Sequence, residues 1–393
     1  MKSGPQSMKG LRVLYVAVSQ GHLAVFHKPY LRWLRSEGAT VDIAARAVDG
    51  FQLPDVGEFH DITFDRNPFS LGNFRSLMRL VRIARRERYD ILHCHTPVAS
   101  ALTRLAGPFA KGRPIIMYTA HGFHFFPGAP RRNWCIWFTL EWLLSRLTDL
   151  LVTINRWDYD AARTKLRARR ARLVPGVGVE LAKFSGDAAI ARAAIRAEFA
   201  IPSDAVVLVY IAEFIPRKNH AFLVRAFSEI VKKEARAVLV LAGDGPLIPE
   251  IEQMIKSLGL SRNVRLAGFR RDIPELVSAS DIAVSTSRQE GLGIGLAEGM
   301  AGGLPVVASE DRGHRELVID QQTGFLIRQE DLDGFVARTC ELIADPGLRL
   351  SMGAAGREHV VGFGLDSALA AMVPIYREAA ELARMAHKRG GAS

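Results

Sequence analysis

Two glutamates eight positions apart flank a glycine-rich segment in the second half of the chain. Glu290 and Glu298 stand in the run EGLGIGLAE, after an apolar segment that ends at Ser285 and at the start of a helix predicted from about Gly293 to Ala301. Glycines that open a helix offer free backbone N–H groups and the positive end of the helix dipole to an anion. Carboxylates can accept hydrogen bonds from sugar hydroxyls. The segment therefore suggests a nucleotide-sugar site, although an arbitrary pair of glutamates is more often solvated surface charge.

A pair of cations follows an earlier predicted strand. Arg217 and Lys218 come just past the strand that ends at Ala212 and before a predicted helix from Ala221. Two positive charges at such a strand end could neutralise a diphosphate leaving group. The competing interpretation is a solvated Arg-Lys pair at a helix start. The nearby GDGP segment at 243–246 lacks the third glycine of a dinucleotide fingerprint, so it predicts a tight turn.

Histidines are concentrated in the first half of the chain. His121 follows a predicted strand, where a lone histidine is more often structural than functional. Together with His93, His95 and His124 it could form a metal site. However, no acidic cluster accompanies these residues, and the HxH pattern at His93 and His95 is weak evidence for one. We therefore predict no metal ion and no cofactor.

Short apolar runs alternate with longer helical patterns along the whole chain. Runs that are apolar on both faces and separated by helices are typical of buried strands in parallel sheets. The predicted helices include Tyr30–Ser36, Ser76–Arg88, Asn133–Leu147 and a final helix, Leu365–Ala386. The predicted strands are Leu11–Val18, Val41–Ala44, Asp90–Cys94, Pro114–Thr119, Asp149–Ile154, Val206–Ala212, Ala237–Leu241, Asn263–Ala267, Ile282–Ser285, Pro305–Ala308 and Gly324–Ile327.

This pattern occurs twice, with a glycine- and proline-containing break near Pro175–Gly178. The sequence thus predicts an α/β protein with two doubly wound, Rossmann-like domains that face a cleft. The first domain spans 1–180, completed by the C-terminal helix in 365–393, and the second spans 181–364. A polar loop is expected directly after the first strand, at Ser19–His22.

The charge distribution indicates the kind of partner, and the cysteine content argues against a disulfide-stabilised protein. The 393 residues carry a net charge of +11, and residues 1–180 hold 27 Lys and Arg against 14 Asp and Glu. A basic first half predicts an anionic partner such as phospholipid, nucleic acid or a phosphorylated substrate. Three scattered cysteines argue against a disulfide scaffold and fit a reducing compartment.

The ordered motifs of the second half resemble a known enzyme family. Arg217-Lys218, the GDGP segment, Leu266-Ala267-Gly268-Phe269 and the Glu290 and Glu298 pair occur in the order seen in the donor half of glycosyltransferase family 4, retaining enzymes of the GT-B architecture. The resemblance implies that Glu290 touches the donor sugar and that Glu298 holds the nucleotide ribose. It also implies donor contacts at the positions Phe269, Leu292, Gly293, Ile294 and Gly21.

The first half resembles the sub-branch that builds capsular polysaccharides, exopolysaccharides and lipid-linked oligosaccharides. The resemblance is carried by DILHCHTPVASAL at 90–102, the long segment at 118–155, and VPGVGVELAKF at 174–184. It implies that His121 reaches the donor sugar across the cleft. One position departs from the family pattern: Glu213 stands where many members have an arginine, and Arg217 could supply the second cation instead.

The resemblance implies a metal-independent retaining glycosyltransferase. Its expected donor is a nucleoside-diphosphate sugar, linked to UDP, and its expected acceptor is a lipid-diphosphate-linked or polysaccharide-precursor glycan. A nucleotide-sugar epimerase of the same architecture is the alternative, since it would also bind the donor but need no acceptor. A nucleic-acid-binding protein would use the basic runs 75–88 and 163–172, but no recognition motif accompanies them, and we predict no nucleic-acid partner.

A tryptophan-rich segment suggests contact with a membrane surface. Arg131 and Arg132 stand directly before a run that contains Trp134 and Trp137, and tryptophan beside arginine suits the headgroup region of an anionic bilayer. The other interpretation is a buried helix that covers the first sheet. The sequence shows no signal peptide and no run of 18 apolar residues, so we expect a cytoplasmic protein, peripheral on the inner face of the cell membrane.

Overall fold

The computed structural model describes residues 7–53, 56–65 and 67–390, without the side chains of residues 389 and 390. These residues form two compact units. One unit extends to Gly178 and also contains the last helix from Asp366 onward, and the other spans Val179–Leu365. The outermost residues of the predicted first domain, 1–6 and 391–393, lie outside the described residues.

The first unit is built on a seven-stranded parallel sheet with the order β3-β2-β1-β4-β5-β6-β7. Its strands are β1 Arg12–Ser19, β2 Thr40–Arg46, β3 Phe59–Asp61, β4 Ile91–His95, β5 Ile115–Ala120, β6 Leu150–Thr153 and β7 Arg170–Leu173. Its helices before the boundary are α1 Gln20–Phe26, α2 Lys28–Ser36, α3 Leu71–Arg86, α4 Pro97–Ala106, α5 Arg131–Asn133, α6 Thr139–Leu144 and α7 Arg156–Lys165.

The second unit is built on a six-stranded parallel sheet with the order β10-β9-β8-β11-β12-β13. Its strands are β8 Val206–Ile211, β9 Ala237–Ala242, β10 Val264–Gly268, β11 Ile282–Ser285, β12 Val306–Ser309 and β13 Gly324–Ile327. Its helices are α8 Ala188–Glu198, α9 His220–Lys233, α10 Ile248–Ser257, α11 Ile273–Ser278, α12 Ile294–Ala301, α13 His314–Leu317, α14 Leu332–Ala344 and α15 Pro346–His359, and the last helix of the chain is α16 Leu365–Gly390.

The prediction of two doubly wound α/β units is confirmed, and every predicted strand is present within two residues of its expected ends. Central strands such as β9 are buried along their whole length, because helices cover both faces of the sheet. The sequence missed β3 and β7, which are the two edge strands of the first sheet. Edge strands such as Arg170–Leu173 carry charges and lack the continuous apolar run that identifies a central strand.

Two local predictions were wrong. The polar residues after β1 form α1 and not a loop, because the Ser19 side chain accepts a hydrogen bond from the backbone N–H of His22 and so caps the helix. The predicted helix Asn133–Leu147 is divided into α5, a π-helical segment at Trp134–Phe138, α6 and a short 3₁₀ turn.

The last helix packs within the first unit. Glu378 of α16 accepts hydrogen bonds from Arg170 and Arg172 on the edge strand β7. On the same helix the hydroxyl of Tyr376 lies 3.0 Å from Nδ1 of His93 on β4. No helix within the described residues is both long enough and apolar enough to span a membrane.

Candidate active site

The structure brings Glu290 and the predicted cation pair together at the carboxyl ends of β8 and β11. The ammonium group of Lys218 donates a hydrogen bond to Oε1 of Glu290, and a guanidinium nitrogen of Arg217 lies 3.6 Å from Oε2. The Glu290 side chain is 9% exposed, whereas that of Arg217 is 46% exposed. A buried carboxylate is thus compensated by one enclosed cation and one cation at the surface.

This ion cluster decides the protonation state of Glu290. Burial acts to raise the pKa of its carboxyl group, but the positive charges of Lys218 and Arg217 and the electrostatic effect of the nearby His314 ring outweigh burial and lower the pKa to about 2. At neutral pH Glu290 is therefore a carboxylate. It can accept hydrogen bonds or stabilise positive charge, but it has no proton to donate.

The Glu290 loop is held in place by a residue that sequence reasoning missed. Asp311 accepts hydrogen bonds from the backbone N–H of Glu290 at 2.7 Å, of Gly313 at 2.8 Å and of His314 at 3.0 Å. A Cβ at Gly313 would lie 2.8 Å from the backbone nitrogen of Leu292, so only glycine permits this close approach. The Asp-x-Gly-His spacing before the short helix α13 was the one available signal, because aspartate commonly caps a helix.

Glycines allow the first turn of α12 to pack against the end of β8. Gly293 adopts a φ of +103°, and a Cβ at Gly295 would lie 2.5 Å from the carbonyl oxygen of Ile211. The first backbone N–H groups of a helix have no acceptor within the helix. Leu292, Gly293 and Ile294, which the resemblance assigns to the diphosphate, lie at this N-terminus beside Glu290.

Glu298 lies farther along α12 in a different electrostatic environment. Burial raises the pKa of its carboxyl group from 4.5 to about 7, and the charge of Lys183 only partly opposes this. Two glutamates of one segment thus differ by about five pH units in their pKa values, because one of them has close cationic partners. The Glu298 side chain is partly buried and so is not a fully solvated surface residue.

Hydrogen bonds fix the backbone that carries the cations. Lys218 ends a 3₁₀ turn at Pro216–Lys218, and its carbonyl oxygen accepts hydrogen bonds from the hydroxyl groups of Tyr210 and Thr286. Arg217 also donates to the carbonyl oxygen of Gln289, 3.3 Å away. Glu213, at the position that departs from the family pattern, is exposed.

Two further segments that carry the family resemblance, at Gly243 and Phe269, lie at neighbouring strand ends of the same unit. Gly243 follows β9, and a Cβ there would lie only 2.0 Å from the carbonyl oxygen of Ala212, which explains the glycine of the GDGP segment. Phe269 follows β10 and leaves 64% of its surface exposed. An exposed aromatic ring at this position is available for stacking on a planar base.

The predicted residues of the first half lie in the first unit. His121 follows β5, and its Nε2 is 3.1 Å from Nδ1 of His95. Gly21 lies in α1, where a Cβ would be 3.3 Å from the ring of Phe51. Trp134 and Trp137 are partly buried and pack against the core of this unit, whereas Arg131 and Arg132 are exposed. The tryptophans thus have the packing that a helix covering the sheet requires.

The raised pKa of Glu298 predicts a pH-dependent stability cost. The folded protein binds the carboxyl proton of Glu298 more tightly than the unfolded chain does. The protonated carboxyl group therefore stabilises the fold fully below pH 4.5, and this stabilisation is lost as the pH rises through about 7. Glu298→Gln, which cannot ionise, should match the wild type near pH 5 and be more stable at pH 8. The difference should grow by at most about 1.4 kcal/mol per pH unit.

Urea unfolding between pH 5 and pH 8 measures this difference. The matched control is Glu252→Gln, which makes the same substitution at an exposed position of α10. Parallel stability curves for Glu298→Gln and the wild type would contradict the assignment of a raised pKa to this side chain.

Family models match both halves of the chain. Residues 30–179 match the model described as Glycosyltransferase Family 4, and residues 191–359 match the model described as Glycosyl transferases group 1. The site described above, from Lys218 to Glu298, lies within the second match.

Two named relatives align with most of the chain. One relative is EpsD of Bacillus subtilis (strain 168), which is named as a glycosyltransferase. The two sequences are 36% identical over 367 residues, and the alignment covers 93% of this chain and 96% of EpsD. The chain is 26% identical over 337 residues to the Escherichia coli UDP-Gal:alpha-D-GlcNAc-diphosphoundecaprenol alpha-1,3-galactosyltransferase, covering 84% of each chain.

Solved structures share the fold. HepE of Anabaena, crystallised with UDP and glucose, superposes with a TM-score of 0.78 at 20% identity, over 94% of this chain and all of HepE. WaaG, a glycosyltransferase of lipopolysaccharide biosynthesis, superposes with a TM-score of 0.73 at 16% identity, over 92% of this chain and 99% of WaaG. The chain therefore belongs to glycosyltransferase family 4, and it is a GT-B glycosyltransferase of the branch that serves exopolysaccharide and lipid-linked glycan synthesis.

Proposed function

We propose that this enzyme transfers a sugar, with retention of configuration, from a UDP-linked donor to a lipid-diphosphate-linked acceptor. The observation that carries the proposal is the Lys218–Glu290 ion cluster beside the glycine-opened N-terminus of α12. The cluster combines positive charge and free N–H groups for a diphosphate with an ionised acceptor for sugar hydroxyls. The name of the Escherichia coli relative contains both a UDP-sugar and a lipid diphosphate, and HepE was crystallised with UDP-glucose.

The donor-side roles follow from the chemistry of each group. Lys218 and Arg217 would neutralise the diphosphate together with the N–H groups at 292–294. Glu298 would accept hydrogen bonds from the ribose hydroxyls, and the exposed ring of Phe269 would lie beside the base. These residues would bind the diphosphate without a metal ion, because Lys218, Arg217 and the helix N-terminus supply the positive charge that neutralises it.

The expected mechanism keeps the acceptor on the face of the sugar from which the diphosphate departs. The bond from the anomeric carbon to the diphosphate oxygen breaks and the bond to the acceptor oxygen forms, while the acceptor proton passes to the departing diphosphate oxygen. Positive charge develops on the sugar ring in the transition state of glycosyl transfer. The low pKa of Glu290 suits it to orient the sugar and to stabilise that charge, and His121 would orient the sugar by a hydrogen bond without transferring a proton.

Replacing the carboxylate at the centre of the cluster tests this role. Glu290→Gln keeps the shape of the side chain but removes its negative charge, so turnover with a UDP-sugar and a lipid-diphosphate acceptor should fall by roughly one to three orders of magnitude. The assay is transfer of radiolabelled sugar to the lipid fraction. Glu252→Gln, an exposed glutamate on α10, serves as the control and should keep wild-type turnover. A folded Glu290→Gln variant with unchanged turnover would contradict the proposed role of Glu290 in sugar transfer.

The two cations should differ in their effect on donor binding. UDP at 100 times its dissociation constant should stabilise the wild type by about 2.7 kcal/mol, which appears as a raised melting temperature. Lys218→Ala should lose most of this shift, because it removes the enclosed cation, and Arg217→Ala should lose less, because Arg217 is half exposed. GDP and ADP are the comparison ligands. If UDP protects both variants as well as the wild type, the diphosphate binds elsewhere.

A basic and apolar surface on α3 supports peripheral association with a membrane. Leu71 and Phe74 on this helix are 89% and 65% exposed, and Phe69 just before it is 75% exposed. The helix contains no acidic residue, and its exposed arginines are Arg75, Arg79, Arg82, Arg85 and Arg86. We therefore assign anionic membrane contact chiefly to α3, with Arg131 and Arg132 as a second basic element.

Liposome co-sedimentation tests this surface. Basic side chains near an anionic bilayer contribute about 1 kcal/mol each, so the wild type should sediment with vesicles of anionic lipid at low salt and less at high salt. The double variant Arg75→Glu/Arg79→Glu should stay in the supernatant, and Arg131→Glu/Arg132→Glu should show a smaller loss. A wild type that stays in the supernatant at low salt refutes membrane docking while leaving UDP binding intact.

A further inference from the structure

Five histidine rings are packed together in the first unit. His22 lies on α1, His27 directly after it, His93 and His95 on β4, and His121 after β5. The ring centres of His27 and His95 are 4.2 Å apart, as are those of His93 and His95, and those of His22 and His121 are 5.1 Å apart. The sequence analysis grouped His93, His95 and His121 but missed His22 and His27, because the five residues come from three separate stretches of the chain.

Several nitrogens of this cluster have no hydrogen-bond partner among the described residues. They are the buried Nε2 atoms of His22, His27 and His95. His27 as a whole is only 3% exposed. A buried polar atom left without a partner costs about 1–3 kcal/mol, so the unpartnered atoms of the neighbouring rings His22 and His27 point to an occupant that supplies the missing interactions.

Three of the rings are placed to share one ion. His22, His27 and His121 each offer a ring nitrogen, and these nitrogens all lie within 4.8 Å of one another. Zinc binds imidazole nitrogen at about 2.0–2.1 Å, so small side-chain rotations would bring the three nitrogens to ligand distance. No carboxylate belongs to this group, and an all-imidazole set favours zinc, nickel or copper over magnesium or calcium.

Neighbouring groups orient two of the three rings. The hydroxyl of Tyr15 lies 3.2 Å from Nδ1 of His27, and Nδ1 of His95 lies 3.1 Å from Nε2 of His121. Such contacts to the second ring nitrogen fix the ring orientation in histidine metal sites. Imidazole binds a metal through a ring nitrogen that carries no proton.

We propose that His22, His27 and His121 form a binding site for a divalent ion of the zinc class. Three protein ligands leave the fourth tetrahedral position for water or a substrate oxygen. The ion would engage the imidazole of His121 that the proposed function assigns to the donor sugar. Zinc is thus expected to inhibit sugar transfer, and this consequence, unlike the site itself, rests on the proposed function.

Direct metal binding tests the site without any nucleotide sugar. The full chain, stripped with a chelator, is titrated with Zn²⁺ in competition with a chromophoric chelator, and Co²⁺ replaces zinc for absorption spectroscopy. We expect one ion per chain and the intense visible bands of four-coordinate cobalt. His27→Gln and His22→Gln should each weaken binding by roughly tenfold or more, since even outer-shell changes cost 10–100-fold.

The matched control is His359→Gln, which removes another histidine with a buried, unpartnered Nε2 in the second unit and should leave the affinity unchanged. A cooperative thermal transition of each metal-free variant, followed by circular dichroism, shows that it is folded. Absence of one-to-one binding, or binding equally affected by His359→Gln, overturns the site and means that buried water satisfies these nitrogens. A chain that binds zinc as expected but is not protected by UDP keeps the site and overturns the proposed donor.

Discussion

The ion pair between Lys218 and Glu290 is the interaction on which the second unit's site depends. An isolated carboxylate as buried as Glu290 would take up a proton, because removal from water disfavours its charge. The enclosed ammonium group prevents this, and it also ties the 3₁₀ turn after β8 to the loop after β11. Two segments 72 residues apart are thereby held together at adjacent strand ends.

The supporting contacts all serve this pair. Tyr210 and Thr286 hold the backbone carbonyl group of Lys218, and Asp311 holds the backbone N–H of Glu290. Breaking a buried pair from one side leaves an uncompensated charge, which is costly. The proposed diphosphate near Lys218 would redistribute this charge, because Arg217 stands beside the pair and is half exposed.

The first unit contributes a different kind of chemistry. Its polar centre is a group of neutral imidazoles and tyrosines, with Tyr15 linking His27 to Tyr376 of the last helix. The pKa values of these buried histidines are lowered, so the centre carries no charge at neutral pH, and hydrogen bonds link its members. The positive charge of this unit lies elsewhere, on exposed faces such as that of α3, where it is available to an anionic surface.

The sequence by itself determined the two parallel sheets and the order of their central strands along the chain, and it singled out the glycine-rich segment from Glu290 to Glu298. Periodicity and glycine placement are local properties, so they can be recognised without the fold. The tertiary structure alone decided the edge strands β3 and β7, the anchoring by Asp311 and the convergence of five histidines. It also set the opposite pKa shifts of Glu290 and Glu298, because a pKa depends on charges and burial supplied by residues distant in the chain.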